Sequence, residues 1–301
     1  MARYPSCILA TCVIPWDEQY EFQEDLFVHQ VEHLLAHGTN RLYIFGTAGE
    51  GYAVSERQFE RIVRVFHDAM RARQAEPMVG VISLSLATVI ERIECAREIG
   101  VRQFQLTLPS WGAVSDREML AFFRETCGRF PDCQFLHYNL LRTKRLVTPA
   151  EYKLLAAEHP NLVATKNTAD SIDRIVGLLR EAPQLQHFLS ERGYAVGRQW
   201  GECGLLISVA ATNWQRAREF FDAGDSHTTM RLADELVGAT QCLLDAAGPP
   251  HIDGAYDKLL WKLHDPRFPL RLLPPYEGAT PEMFDRYVRE LGAKFPQWLP
   301  S

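Results

Sequence analysis

The chain has 301 residues, of which 47% are hydrophobic and 23% charged, a composition typical of a globular protein with a sizeable core. Its formal net charge of −6 disfavours sequence-independent binding to nucleic acid or anionic lipid, because such binding depends on clustered lysine and arginine. We therefore expect a small-molecule partner, with neither nucleic acid nor membrane as a partner.

The N-terminal residues carry an apolar stretch that is too short for a membrane span, and it lacks the charged start and cleavage site of a signal peptide. The seven cysteines are odd in number and scattered, with no Cys-x-x-Cys pair, so the sequence predicts neither a disulfide framework nor a zinc knuckle. A reducing cytoplasm is the expected location.

Short apolar runs alternate with amphipathic segments along the first 222 residues, a pattern typical of repeated βα units around a parallel sheet. The predicted strands are 7–13, 41–45, 78–82, 103–106, 134–137, 162–165, 187–189 and 205–209. The predicted helices are 24–36, 55–70, 86–99, 116–127, 149–158, 171–179, 193–200 and 214–222.

Eight such units predict a (β/α)8 TIM barrel over residues 1–222, close to the usual size of that fold. Residues 223–301 predict a C-terminal extension of three helices, near 226–246, 252–263 and 281–291. We interpret this extension as a helical appendage to the catalytic barrel, not as a second catalytic domain.

Lys166 directly follows the predicted sixth strand. The active site of a (β/α)8 barrel lies at the C-terminal ends of its strands, so this lysine is predicted to reach the mouth of the barrel. Burial there would favour the neutral amine, which is a nucleophile. The structural alternative is an ordinary surface lysine at the start of a loop.

The second strand runs into Gly46-Thr47-Ala48-Gly49-Glu50-Gly51. Glycines allow a tight turn whose N–H groups, with the Thr47 hydroxyl, can hold a carboxylate. The spacing fits neither a dinucleotide-binding loop nor a phosphate loop. The alternative is a glycine-rich turn selected only for its backbone.

Tyr138 ends the fifth strand, so its hydroxyl can face the barrel mouth as a proton donor and acceptor, although a tyrosine that merely caps the core fits as well. His137, its neighbour, is predicted to face the surrounding helices instead. A carboxylate-holding turn, a phenol and a buried amine together describe Schiff-base chemistry on a 2-oxo acid. This chemistry needs no cofactor other than the covalent imine on Lys166, and we expect no metal.

His29, His33 and His37 repeat every four residues, but the apolar stripe of the first helix predicts that they face outward.

Four motifs carry a resemblance that covers nearly the whole chain. They are Gly46-Thr47-Ala48-Gly49-Glu50, Tyr138-Asn139, Lys166-Asn167-Thr168 and Gly204-Leu205-Leu206-Ile207-Ser208. In this order they resemble the dihydrodipicolinate synthase and N-acetylneuraminate lyase superfamily.

The resemblance implies a pyruvate-type substrate held as an imine on Lys166, with Tyr138 as general acid and base. It also implies that Thr47, together with Gly46 and the amide of Ala48, holds the substrate carboxylate, and that Ile207 lines the wall beside the imine. The partner substrate would be an aldehyde or a sugar acid, and the protein would be a homotetramer or homodimer.

The chain departs from the family pattern at several substrate-binding positions. Ala48 stands where a second hydroxyl is usual, and Trp111 stands where the synthases have a tyrosine; an indole N–H cannot relay a proton, which argues against lysine-pathway synthesis. Arg142 is a candidate ligand for a distal carboxylate, or else a solvated loop residue. Trp111 and Glu191 are expected to shape the pocket for the second substrate.

These residues leave several functions open. The first hypothesis is a lyase or aldolase, with aldol cleavage of a deoxy sugar acid, sialate-type cleavage, dehydration of a keto-deoxy sugar acid and the synthase reaction as alternatives. The second is a non-catalytic 2-oxo acid binding protein or interaction protein on the same barrel, favoured by the groups lost at Ala48 and Trp111. Retention of both Tyr138 and Lys166 argues for the enzyme.

Overall fold

The computed structural model describes residues 2–37, 39, 41–168, 171–208, 211–249 and 251–300. Within these ranges the strands are β1 Ala10–Thr11, β2 Leu42–Ile44, β3 Met78–Gly80, β4 Gln103–Leu106, β5 Gln134–Asn139, β6 Leu162–Asn167, β7 Gln186–Leu189 and β8 Gly204–Leu205. The helices that follow them are α1 Glu24–Ala36, α2 Glu56–Ala72, α3 Leu86–Ile99, α4 Asp116–Phe123, α5 Pro149–Glu158, α6 Ile172–Glu181, α7 Glu191–Gly197 and α8 Trp214–Asp222.

The strands form one parallel sheet in the order β1 to β8. The sheet closes on itself, because the Leu9 amide donates to the Leu205 carbonyl at 2.9 Å and the Leu205 amide donates to the Cys7 carbonyl at 3.0 Å. The predicted (β/α)8 barrel is confirmed.

The two strands that carry the candidate catalytic residues are longer than predicted. β5 and β6 each continue two residues beyond the predicted ends at 137 and 165, so Tyr138 and Lys166 lie within the sheet. β8 is shorter than the predicted 205–209, and Val209 lies outside the described residues. β1 is likewise only two residues long against the predicted 7–13.

Helix starts follow the capping signals in the sequence. The Ser55 side chain accepts a hydrogen bond from the Gln58 amide in a capping box. The Thr148 side chain accepts one from the Glu151 amide in a second capping box, with Pro149 as the first helical residue. The predicted helix 116–127 ends early at Phe123 and continues as a π-helix, Arg124–Gly128. Within this turn the Thr126 hydroxyl donates to the Phe122 carbonyl at 2.8 Å, a bond that bends helices.

The C-terminal extension consists of α9 Ser226–Ala247, α10 Asp253–Lys262 and α11 Pro281–Lys294. α9 and α11 pack against each other, and α9 also packs against α7 and α8 on the outside of the barrel. None of the helices in the described ranges is long and apolar enough to cross a membrane.

Helix α10 is fixed to the barrel by a fully buried ion pair. Lys258 Nζ donates to Glu50 Oε1 at 2.6 Å, and neither side chain is exposed. The Trp16 indole N–H donates to the same oxygen at 2.9 Å, and the Leu273 amide donates to the other oxygen at 2.7 Å. Burial lowers the pKa of Lys258, and the Glu50 carboxylate opposes that shift. The glycine-rich turn and the extension are thus joined through one carboxylate.

Glu50→Gln should lower the free energy of unfolding by about 3–5 kcal/mol, because it leaves the buried Lys258 ammonium without a counter-ion. Urea unfolding would measure this, with Glu60→Gln in the exposed Arg64–Glu60 pair as the control, expected to change stability by less than about 1 kcal/mol. Equal effects of the two substitutions would contradict the role given to Glu50.

Candidate active site

Lys166 and Tyr138 lie side by side at the C-terminal end of the barrel. The β5–β6 ladder pairs Tyr138 with Lys166 directly, so both side chains leave the sheet on the same face. Lys166 Nζ lies 3.9 Å from the centre of the Tyr138 ring and 5.9 Å from that of Tyr43. Lys166 is 9% exposed, so the amine is nearly enclosed and meets two phenol rings. On the opposite face of β5, the His137 ring lies 2.7 Å from the Tyr152 hydroxyl on α5, as predicted.

The predicted uncharged state of Lys166 is wrong for the resting protein. Burial acts to lower the pKa of the Lys166 amine, but Tyr138, Tyr43 and Asp253 outweigh burial, and the pKa lies above its ordinary value. The sequence prediction considered burial alone. The resting group is therefore an ammonium, which must lose a proton before it can attack a ketone.

The glycine-rich turn after β2 lies at the same end of the barrel. A Cβ on Gly51 would lie 2.3 Å from the Phe45 carbonyl oxygen, so this position needs glycine. Thr47 and Ala48 are buried, and the Thr47 side chain contributes to lowering the pKa of the Asp253 carboxyl at the start of α10. The side chain predicted to bind substrate thus also acts on a carboxylate of the protein.

A cavity of about 450 Å³ opens beside this turn. Its wall is rich in hydroxyl and apolar groups from the loops after β2, β3, β4 and β5, from the start of α3, from α10 and from the connection between α10 and α11. The lining includes Thr47, Tyr52, Ser83, Ser85, Thr88, Thr107, Ser110, Leu140, Arg142, Thr143, Asp253 and Tyr276. The C-terminal extension therefore lines part of the cavity. The sequence analysis predicted an appendage and did not include it in the site.

Arg142 reaches this cavity but is already bound. Its guanidinium donates to both carboxylate oxygens of Asp253, at 2.6 and 3.1 Å. Burial would raise the pKa of Asp253, but the bonds from Arg142, together with the Thr47 side chain, lower it to about 2. The carboxylate is thus ionised over the physiological range, and a substrate carboxylate that uses Arg142 must compete with it.

Among the predicted site residues, the lining of this cavity includes Thr47 and Arg142 but neither Lys166 nor Tyr138. Ile207 is buried where the chain leaves β8. The backbone of Gly46 packs against the Tyr43 ring, since a Cβ there would lie 2.6 Å from it. The structure does not bring Trp111 and Glu191 into the cavity. Trp111 is 83% exposed and lines a shallow neighbouring depression, while Glu191 accepts a hydrogen bond from Thr240 on α9 at 3.2 Å.

Three residues near Lys166 escaped the sequence analysis: Tyr43, Asp253 and Asp257. The two aspartates are four residues apart, which places them on one face of α10. That spacing was visible in the sequence, but nothing in it indicated that this helix lies against the barrel mouth.

The first-helix histidines were predicted to face outward, and this is wrong for His33. Its ring packs edge-on against Trp261 at 5.2 Å and lies 4.8 Å from His264, because the extension covers this part of α1. Among the residues that the structure describes, no group of three or more His, Cys, Asp or Glu side chains could hold a metal ion.

The model of the dihydrodipicolinate synthetase family matches residues 5–235. The chain belongs to this family. Two curated relatives are 4-hydroxy-tetrahydrodipicolinate synthases. The one from Thermosynechococcus vestitus is 23% identical over 271 residues, covering 87% of this chain and 90% of the relative. The one from Moorella thermoacetica is 27% identical over 293 residues, covering 94% and 96%.

Two solved structures share the fold of this chain. YagE, a prophage protein of the dihydrodipicolinic acid synthase family from E. coli K12 in complex with pyruvate, superposes with a TM-score of 0.85 at 16% identity over 96% of this chain and 97% of its own. N-acetylneuraminate lyase from Proteus mirabilis gives 0.85 at 17% identity over 97% and 99%. At these identities the two structures show the fold that the chain shares with them.

The Arg142–Asp253 pair predicts a pH-dependent stability. Because the folded-state pKa of Asp253 is lowered from 3.8 to about 2, its contribution is complete above pH 5 and declines as pH falls. Asp253→Asn should cost about 2 kcal/mol at pH 6 and roughly half of that at pH 3. Urea unfolding of both proteins at the two pH values would test this. A deficit that is equal at both, or absent at pH 6, would contradict it.

Proposed function

We propose that this protein is a class I lyase or aldolase that binds a pyruvate-type 2-oxo acid as an imine on Lys166. The observation that carries the proposal is the enclosure of the Lys166 amine at the barrel mouth, 3.9 Å from the Tyr138 ring centre. Burial removes a charge from water, and the buried Lys258 is compensated by the Glu50 carboxylate, whereas Lys166 lies against two phenol rings. The pyruvate in the related YagE structure supports the choice of substrate class.

The chemistry begins with loss of a proton from the Lys166 ammonium. The neutral amine adds to the keto carbon, the oxygen leaves as water, and the resulting protonated imine attracts electrons from the neighbouring carbon. Loss of a proton or of a C–C bond at that carbon gives an enamine, and the reverse step forms the bond. Tyr138, directly beside the amine, is the group that moves these protons.

The substrate carboxylate would lie at the turn after β2. Thr47 and the amides of Gly46 and Ala48 would supply hydrogen-bond donors there. Helix α10 packs closely against this turn, since a Cβ on Gly254 would lie 3.1 Å from the Ala48 carbonyl oxygen. Ala48 offers no side-chain donor of its own. Ile207, buried near the same end of the barrel, would form the apolar wall beside the imine.

The second substrate would occupy the hydroxyl-rich cavity. Ser83, Ser110 and Thr143 lie on three different loops around it, an arrangement that suits a partner with several hydroxyl groups, such as an aldehyde derived from a sugar acid. Aldol cleavage, condensation and dehydration of such a compound all proceed from the same imine. Assembly into a homodimer or homotetramer remains a prediction.

Incubation with pyruvate followed by borohydride should add the mass of a reduced pyruvate adduct to the peptide that contains Lys166. Lys166→Ala should abolish this adduct, while Lys153→Ala, an exposed lysine on α5, should leave it unchanged. Pyruvate binding by calorimetry without any adduct would contradict the enzyme and favour a 2-oxo acid binding protein.

Tyr138→Phe should separate imine formation from proton transfer. Exchange of the pyruvate methyl hydrogens for deuterium, followed by NMR in D2O, reports enamine formation without knowledge of the second substrate. The exchange should fall by about 10²-fold or more while some borohydride trapping remains, because general acid–base catalysis contributes on this scale. Tyr20→Phe, an exposed tyrosine, is the control. Unimpaired exchange in Tyr138→Phe would remove the proton-transfer role.

A further inference from the structure

Asp257, on α10, is a buried carboxyl group that the chemistry above does not use. It is 3% exposed, and its Oδ1 has no hydrogen-bond partner among the described residues. A buried polar atom without a partner costs free energy, so its retention calls for a reason. Asp257 lies on the same helix face as Asp253, and this face is held toward the barrel mouth by the adjacent Lys258–Glu50 pair.

The ionisable groups around Asp257 come from several elements. Lys166 on β6 attracts its carboxylate, and Asp253, one helical turn away, repels it. The Asp257 carboxylate in turn raises the pKa of the Tyr43 phenol of β2 and that of the Tyr256 phenol of its own helix. The Ser208 hydroxyl, just after β8, acts to lower the pKa of Asp257. Asp257 therefore belongs to the same cluster as the candidate nucleophile.

The environment keeps Asp257 protonated near neutral pH. Burial raises its pKa to about 8, with the Asp253 charge adding to the shift and Ser208 and Lys166 opposing it. A neutral carboxyl group has a proton to donate.

We propose that Asp257 is a second proton-transfer residue of the Lys166 site, and that it donates the proton with which water leaves during imine formation. This inference rests on the proposed function. When the neutral amine adds to the keto carbon, its proton moves to the former carbonyl oxygen and gives a carbinolamine. The C–O bond then breaks, the oxygen leaves as water with the proton of the Asp257 carboxyl, and the nitrogen lone pair forms the C=N bond. The products are the iminium cation, water and the Asp257 carboxylate, and hydrolysis reverses the step.

The test is the pH dependence of imine formation. Protein is mixed with pyruvate at pH values from 6 to 10, and aliquots are quenched at set times into borohydride at one fixed pH. In the wild type the rate should rise with pH as Lys166 loses its proton, and the rise should stop near pH 8 as Asp257 loses the proton that it donates.

Asp257→Asn should lower the rate at pH 7 by about 10²-fold or more and remove the change of slope. Ser208→Ala should move the change of slope upward by about one pH unit, because it removes a hydroxyl group that favours the carboxylate. Asp222→Asn, in an exposed pair with Arg218 on α8, is the matched control and should keep the wild-type profile. Circular dichroism would check that each variant is folded.

The possible failures are distinguishable. If the wild type forms no adduct at any pH, the proposed function is wrong and this inference falls with it. If the wild type forms the adduct but its rate shows no change of slope near pH 8, only the role of Asp257 is overturned. A folded Asp257→Asn protein with the wild-type rate and profile overturns it as well. If Asp257→Asn fails to fold, the pH profiles of the wild type and of Ser208→Ala still test the role of Asp257.

Discussion

The buried ion pair between Glu50 and Lys258 is the interaction on which the rest of the site depends. Glu50 belongs to the turn that would hold the substrate carboxylate, and Lys258 follows directly after Asp257 on α10. Because a buried charge is tolerated only with its partner, this pair fixes how the helix meets the turn. That position brings Asp253 to Thr47 and Arg142, and Asp257 into the electrostatic reach of Lys166. The barrel and its extension therefore both contribute residues to the candidate site.

The barrel itself could be predicted from local patterns. Apolar runs and capping residues act over a few positions, so α1, α3, α5 and α8 have the predicted bounds. The ends of the strands depend on pairing with a neighbour that is distant in sequence. β5 and β6 extend together because they hydrogen-bond to each other as far as the pair Asn139 and Asn167. The apolar runs around β1 and β8 did not indicate how short these two strands are.

The site could be predicted only where chain order determines geometry. Tyr138 and Lys166 end consecutive parallel strands, so their proximity follows from the fold. Asp253 and Asp257 come from a helix that returns to the barrel over a long connection, and no local pattern indicates where it docks. The charge on Lys166 was mispredicted for the same reason: burial can be estimated from one strand, but the phenols and carboxylates that oppose it come from other elements. Trp111 was expected in the pocket because of its place in the chain, yet its loop turns the ring into solvent.

The central claim is that the enclosed amine of Lys166 forms a covalent bond to a 2-oxo acid. Crystals soaked in pyruvate test it most directly, because the imine and the bound carboxylate are seen together. The account predicts continuous electron density from Lys166 Nζ to the second carbon of pyruvate, with the carboxylate at Thr47 and the amides beside it. Pyruvate bound elsewhere, or bound in this cavity with no bond to Lys166, would contradict the account.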